Sequence, residues 1–195
     1  MLVIGGAASG KSDFAEALAC AYARRLEAPL VYIATLNAAS GGDTAGRIAK
    51  HRAARAGKGF ITLEWCDYST APVVQAALAA AFVQPAPQKP VLLIEDFGNL
   101  VANYLYPLQR PPVQTEVEAA VATLMQLLQQ VAAQASACIA VTNEITLGGA
   151  LPCELQRYGE VLARLNARWA FVCKSVYAVI AGLPIILKER EAVCF

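Results

Sequence analysis

Residues Met1 to Ser12 read MLVIGGAASGKS, an apolar run, Leu2-Val3-Ile4, that empties into Gly5-x-x-x-x-Gly10-Lys11-Ser12. A backbone that closes around phosphate oxygens needs this arrangement: a buried strand, then a turn whose N–H groups point inward with no side chain in the way. Gly5, Gly6 and Gly10, with the small Ala7, Ala8 and Ser9 between them, meet that requirement. Lys11 is spaced to reach the β- and γ-phosphates, Ser12 to offer its hydroxyl to Mg²⁺, and the following helix to present its positive N-terminal end to the anion. Residues 13–26 are rich in helix formers, with Asp13 in the first turn and Arg24 and Arg25 in the last. The bare pattern arises by chance in very roughly one chain of this length per hundred, and the strand before it and helix after it lower that further.

The chain has 195 residues, which suits one α/β domain, expected over residues 1–190 with a tail at 191–195. Apolar residues make up 57% and charged ones 16%. That balance suggests a heavily buried parallel sheet and a subunit interface. No membrane span is expected: the Ala-rich stretch at 76–83 falls far short of the ~20 apolar residues a span needs, and 119–141 is broken by Gln. With no basic leader ahead of the loop, the expected location is the cytoplasm. A net charge of +1, with no basic stripe beyond Arg47 to Lys58, argues against a nucleic-acid surface. Cys20, Cys66, Cys138, Cys153, Cys173 and Cys194 form no C-x-x-C pair and read as buried, reduced thiols.

Leu30 to Ala34 reads as a second buried strand, from whose carboxyl end Thr35-Leu36-Asn37 leave, where α/β sheets place ligands. A helix is expected from Thr44 to Arg55, ending at Gly57 or Gly59. It carries the sole histidine, His51, spaced i, i+4, i+8 with Arg47 and Arg55, so that the three share one face. Neighbouring guanidinium groups disfavour the imidazolium, and a neutral imidazole beside phosphate is a competent nucleophile. On spacing alone, a solvated basic face with an incidental histidine is the simpler reading. Phe60 to Leu63 reads as a short strand, after which spacing supplies no role for Glu64. Residues 70–83 read as helix and 84–90 as a stiff proline linker. Val91 to Ile94 is the clearest interior strand and discharges Glu95-Asp96. One of these acids is expected to face Mg²⁺, unless the pair only caps the next helix. Further expectations are a helix over 115–134, a strand over Cys138 to Thr142, a helix over 154–171, and a closing hairpin of Val176–Ile180 with Pro184–Leu187, with loose chain past Lys188. The fold class is α/β: a P-loop, three-layer arrangement with a mostly parallel sheet, helices on both faces and an antiparallel C-terminal hairpin.

Taken together the segments resemble the bifunctional adenosylcobinamide kinase / adenosylcobinamide-phosphate guanylyltransferase family. The resemblance runs through the Gly5 to Ser12 loop, Tyr32-Ile33-Ala34-Thr35, Arg47-Ile48-x-x-His51-Arg52-x-x-Arg55, Thr62-x-Glu64, Leu92 to Glu95, Leu100-Val101-x-Asn103, Val141 to Glu144, Asn166 and Ala181-Gly182. It implies a cobalamin-pathway enzyme that phosphorylates a corrinoid hydroxyl and then attaches GMP from GTP, with the GMP carried on His51. It further implies that residues 5–12, Thr35 to Asn37, Arg52, Arg55, Glu64 and Glu95 contact GTP or ATP or its Mg²⁺, with Ser12 and Glu95 on the metal. Oligomers, typically trimers, are implied as well. The chain departs from the family pattern at Ala8, where Arg is usual, at Thr146 to Pro152, at Tyr158-Gly159-Glu160, and at Ala163. These departures bear more on corrinoid handling than on nucleotide binding.

Overall fold

The alternation of side chains along each strand divides the apolar residues of this chain between two cores. In the computed structural model, which describes residues 1–36, 46, 49, 53, 55–66, 72, 76, 78, 88–107, 112–145 and 153–189, the strands are β1 (Leu2–Gly5), β2 (Leu30–Ala34), β3 (Phe60–Glu64), β4 (Val91–Glu95), β5 (Ala137–Asn143), β6 (Ser175–Ile180) and β7 (Leu183–Glu189). The helices are α1 (Lys11–Leu26), α2 (Phe97–Leu105), α3 (Val117–Ala132) and α4 (Cys153–Val172). The described positions 46, 49, 53 and 55 are helical, as are 72, 76 and 78.

All seven strands join one sheet in the order β3-β2-β4-β5-β1-β6-β7. Every pairing is parallel except β6 with β7. Val3, Tyr32, Leu93, Ile139 and Val141 face α1, whose Ala15, Ala19 and Ala23 recur every four residues and let the helix lie close on the sheet. Leu2, Val31, Ile33, Leu92, Ile94 and Ala140 face the other way, against residues of α2, α3 and α4. Phe97 of α2 and Trp169 of α4 meet edge to face there, with centroids 5.6 Å apart. The result is the expected three-layer, mostly parallel sheet with its antiparallel C-terminal hairpin.

Local differences from expectation are few. The third helix starts at Val117 because the Glu116 backbone is extended and no side chain caps it. β7 continues through Lys188 to Glu189, one residue beyond the expected end of order; residues 190–195, and with them the tail expected at 191–195, lie outside the described residues. Asn37, His51 and Arg52 lie outside them too, as do Thr44, Arg47, residues 146–152 and most of the proline linker. Among the described residues no helix is long and apolar enough to cross a membrane.

Candidate functional site

Parallel strands that end together deliver their last residues to one edge of the sheet. Here that edge collects Gly5 of β1, Ala34 of β2, Glu64 of β3, Glu95 of β4 and Asn143 of β5. Gly5 could carry no side chain, since a Cβ there would lie 2.5 Å from Ser9 Oγ and 2.7 Å from the Val179 carbonyl oxygen. The turn that follows places Ala8 at φ 54° and Gly10 at φ 88°, and Gly10 opens α1 without any side-chain cap. The first-turn N–H groups and positive end of α1 are thereby left to the loop. Lys11 is nearly buried and donates from Nζ to the Gly6 carbonyl at 3.1 Å, so its ammonium lies across the glycine turn. The hairpin turn between β6 and β7 braces the same loop: Gly182 N–H donates to Ser9 O at 2.8 Å, and a Cβ on Gly10 would come within 3.1 Å of Gly182 Cα.

Ser12, one residue into the helix, donates its hydroxyl to Glu95 Oε1. Spacing alone left Glu95 and Asp96 both open for the metal while the family resemblance implied Glu95, and their surroundings separate them. The Asp96 carboxylate is spent on structure: Oδ1 accepts the Asn99 N–H at 2.7 Å as the N-cap of α2, and Oδ2 accepts Asn143 Nδ2 at 3.3 Å. Tyr158 stands close enough to this group that burial and the Asp96 charge push its phenol up to about 12. Ser12 and Glu95 supply a hydroxyl and a carboxylate oxygen, the hard donors Mg²⁺ takes alongside phosphate and water. Among the described residues no cluster of three or more His, Cys, Asp or Glu side chains could form a metal cage.

The other sequence candidates fall around this centre. Thr35 is wholly buried, its Oγ1 donating to the Asp96 carbonyl at 2.9 Å and its carbonyl receiving Asn103 Nδ2 at 2.7 Å. Its side chain therefore shapes the end of β4. Leu36 is half-buried beside it. Glu64 and Glu95 both stand in register with Ala34, one from each neighbouring strand, and the Glu64 side chain is exposed. Arg55 is 7% exposed and lies against α1, with its guanidinium carbon 3.4 Å from the Tyr32 ring centroid and Nη1 3.9 Å from Glu16 Oε1. Lys58 Nζ holds the second Glu16 oxygen at 2.6 Å. The Tyr32 phenol is held protonated far up the alkaline range, chiefly by burial and next by the Glu95 charge. Glu16 and Tyr32 escaped sequence reading. The signal was present, since an acid four residues after Ser12, beside an Ala15-Ala19-Ala23 stripe, sits at the margin of a buried face.

The model of the family described as cobinamide kinase / cobinamide phosphate guanyltransferase matches residues 1–187. The chain belongs to that family. It is 34% identical over 188 residues to the bifunctional adenosylcobalamin biosynthesis protein CobP of Pseudomonas aeruginosa, covering 96% of each chain. It is 30% identical over 196 residues to the corresponding protein CobU of Salmonella typhimurium, covering 96% of this chain and 99% of that one. A KaiC-like protein of Pyrococcus horikoshii OT3 has a similar structure, with a TM-score of 0.52 and 17% identity over 97% of this chain and 78% of the other. At that identity the likeness concerns the fold. As a member of the cobinamide kinase / guanyltransferase family the chain is an enzyme.

Proposed function

We propose that this enzyme carries out both family reactions: phosphorylation of the adenosylcobinamide side-chain hydroxyl, and transfer of GMP from GTP to the resulting phosphate ester. The observation that carries the reading is the Ser12 to Glu95 contact, which joins the glycine loop to the acid of β4 as a phosphate site with a metal-side carboxylate requires. Gly5 to Ser12 would cradle the phosphates of GTP or ATP, while Ser12 and Glu95 hold Mg²⁺, which when bound offsets triphosphate charge. Leu36, Asn37, Arg52 and Glu64 would line the nucleoside side, while Thr35 and Arg55, both buried, are taken up by Asp96 and by Glu16 with Tyr32. In the transfer His51 attacks the α-phosphorus, a P–N bond forms and pyrophosphate departs. The corrinoid phosphate then attacks the same phosphorus, the P–N bond breaks, and the imidazole is freed. Two steps replace one encounter between two bulky anions.

The cytoplasm is the proposed compartment, in keeping with free thiols at Cys20, Cys66, Cys138 and Cys173. A homo-oligomer, a trimer by the family resemblance, is the proposed assembly. Its support is the apolar β7, where Leu183, Ile185, Ile186 and Leu187 are 47 to 69% exposed.

The test is incubation with α-labelled GTP and Mg²⁺, followed by acid and base treatment. An acid-labile, base-stable protein label that disappears in His51→Ala, with Lys11→Ala lowering nucleotide affinity at least tenfold, is the expected outcome. A label that survives in His51→Ala sinks the histidine mechanism. Corrinoid phosphorylation without any label leaves a kinase alone.

A further inference from the structure

We propose that Glu16 is a positioning residue for guanylyl transfer: from inside α1 it grips Arg55 and Lys58, and so anchors beside the phosphate loop the chain four positions past His51. This rests on the histidine reading above and adds to it a residue with no direct contact to nucleotide.

Glu16 is 3% exposed, and the side chain facing it, Arg55, is 6% exposed. A carboxylate so nearly dry persists only with compensating charge, and both cations that supply it, at 3.9 and 2.6 Å, come from a single stretch, Arg55 to Lys58. The Arg55 guanidinium carbon also lies 3.4 Å from the ring centroid of Tyr32, a residue of β2. Arg55 Nε is buried with no hydrogen-bond partner among the described residues, so its hold on Glu16 is one of charge and not of a hydrogen-bond network. Ser12 and Glu16 are four residues apart in α1, a rise of about 6 Å, on one face of the helix. One turn of α1 therefore handles the metal side of the phosphate site through Glu95, and the next turn handles the arginine. His51 stands four positions before Arg55 in the chain, and four residues reach at most about 14 Å even when extended. Fixing Arg55 one turn from Ser12 thus bounds the distance over which the imidazole must find the α-phosphorus. Misplacement by an ångström or so at such a step costs on the order of a hundredfold in rate.

The experiment follows single-turnover labelling by α-labelled GTP alongside corrinoid phosphorylation, nucleotide affinity and melting temperature, in wild type, Glu16→Gln, Arg55→Met and the double variant. The double variant carries no uncompensated buried charge and guards against a simple failure to fold. Expected are a tenfold or greater loss of labelling rate in Glu16→Gln at saturating GTP, nucleotide affinity within threefold of wild type, and an unchanged phosphorylation rate. The double variant is expected to melt near wild type yet label no faster than either single change. Labelling at the wild-type rate in Glu16→Gln overturns the proposal. So does a fall in both half reactions that the double variant restores together with its melting temperature, since that is the behaviour of a purely structural pair. Should wild type itself take no label, it is the histidine reading that fails, and the positioning role goes with it.

Discussion

At single residues the chemistry follows burial. The Cys138 thiol of β5, partly buried against the core, is pushed by desolvation from 9.0 up to about 11, against an opposing pull from the N-terminal charge. A thiol whose folded pKa is raised stays protonated in the fold while its unfolded counterpart ionises. Its contribution is therefore intact below about pH 9 and is lost as pH climbs toward 11, at no more than about 1.4 kcal/mol per pH unit. Melting temperatures followed from pH 8 to 10.5 are expected to fall less steeply in Cys138→Ala than in wild type. Equal slopes would mean that the thiol meets water. Arg55 shows the same dependence on surroundings from the other side. Read as one of two arginines flanking His51 on a helix face, it proves to be a buried partner of Glu16 and Tyr32, because only the packing of α1 reveals an acid waiting for it.

Among elements, β4 has the largest share in the site, since it ends on two acids with separate duties. Glu95 meets Ser12 from the loop, whereas Asp96 turns to cap α2 and to receive Asn143 from β5. Gly98 is needed where these pieces converge, as a Cβ there would lie 2.9 Å from the Tyr158 hydroxyl and 3.1 Å from both Asn143 Nδ2 and Asp96 Oδ1. Asp96→Ala is accordingly expected to lower stability in urea by about 1 kcal/mol, the usual worth of an N-cap. Glu95→Gln, which keeps an oxygen to accept from Ser12, is expected to lower stability less than Asp96→Ala does and to reduce Mg²⁺-dependent turnover at least a hundredfold. The reverse pattern would exchange the roles of the two acids.

For the whole molecule, the sheet is covered at its centre and bare at the β7 end. The five positions Leu183 to Leu187 are all exposed, and Phe171 and Val172 at the end of α4 are 73 and 50% exposed. An edge strand with apolar side chains on both faces invites pairing unless another surface covers it. Replacing Leu183 and Leu187 together by Lys is expected to reduce the mass in light scattering to that of one chain. A wild-type protein that already runs as a monomer at tens of micromolar would rule the interface out.

What could be read from residue order was whatever chemistry is contiguous. Gly5 to Ser12, the apolar runs of β1, β2, β4 and β5, and the C-terminal hairpin each carry their own turn, period or spacing, so a local rule suffices for them. Boundaries were softer where no cap marks them, as at Val117. The choice between Glu95 and Asp96, the burial of Glu16 against Arg55, and the bracing of the loop by Gly182 could not be read in this way. Ser12 and Glu95 are 83 positions apart, and Gly182 is farther still from Ser9. Such partners meet because β6 lies beside β1 and β5 alone parts β1 from β4 in the sheet, a strand order set by the packing of two cores and written in no single stretch of the chain.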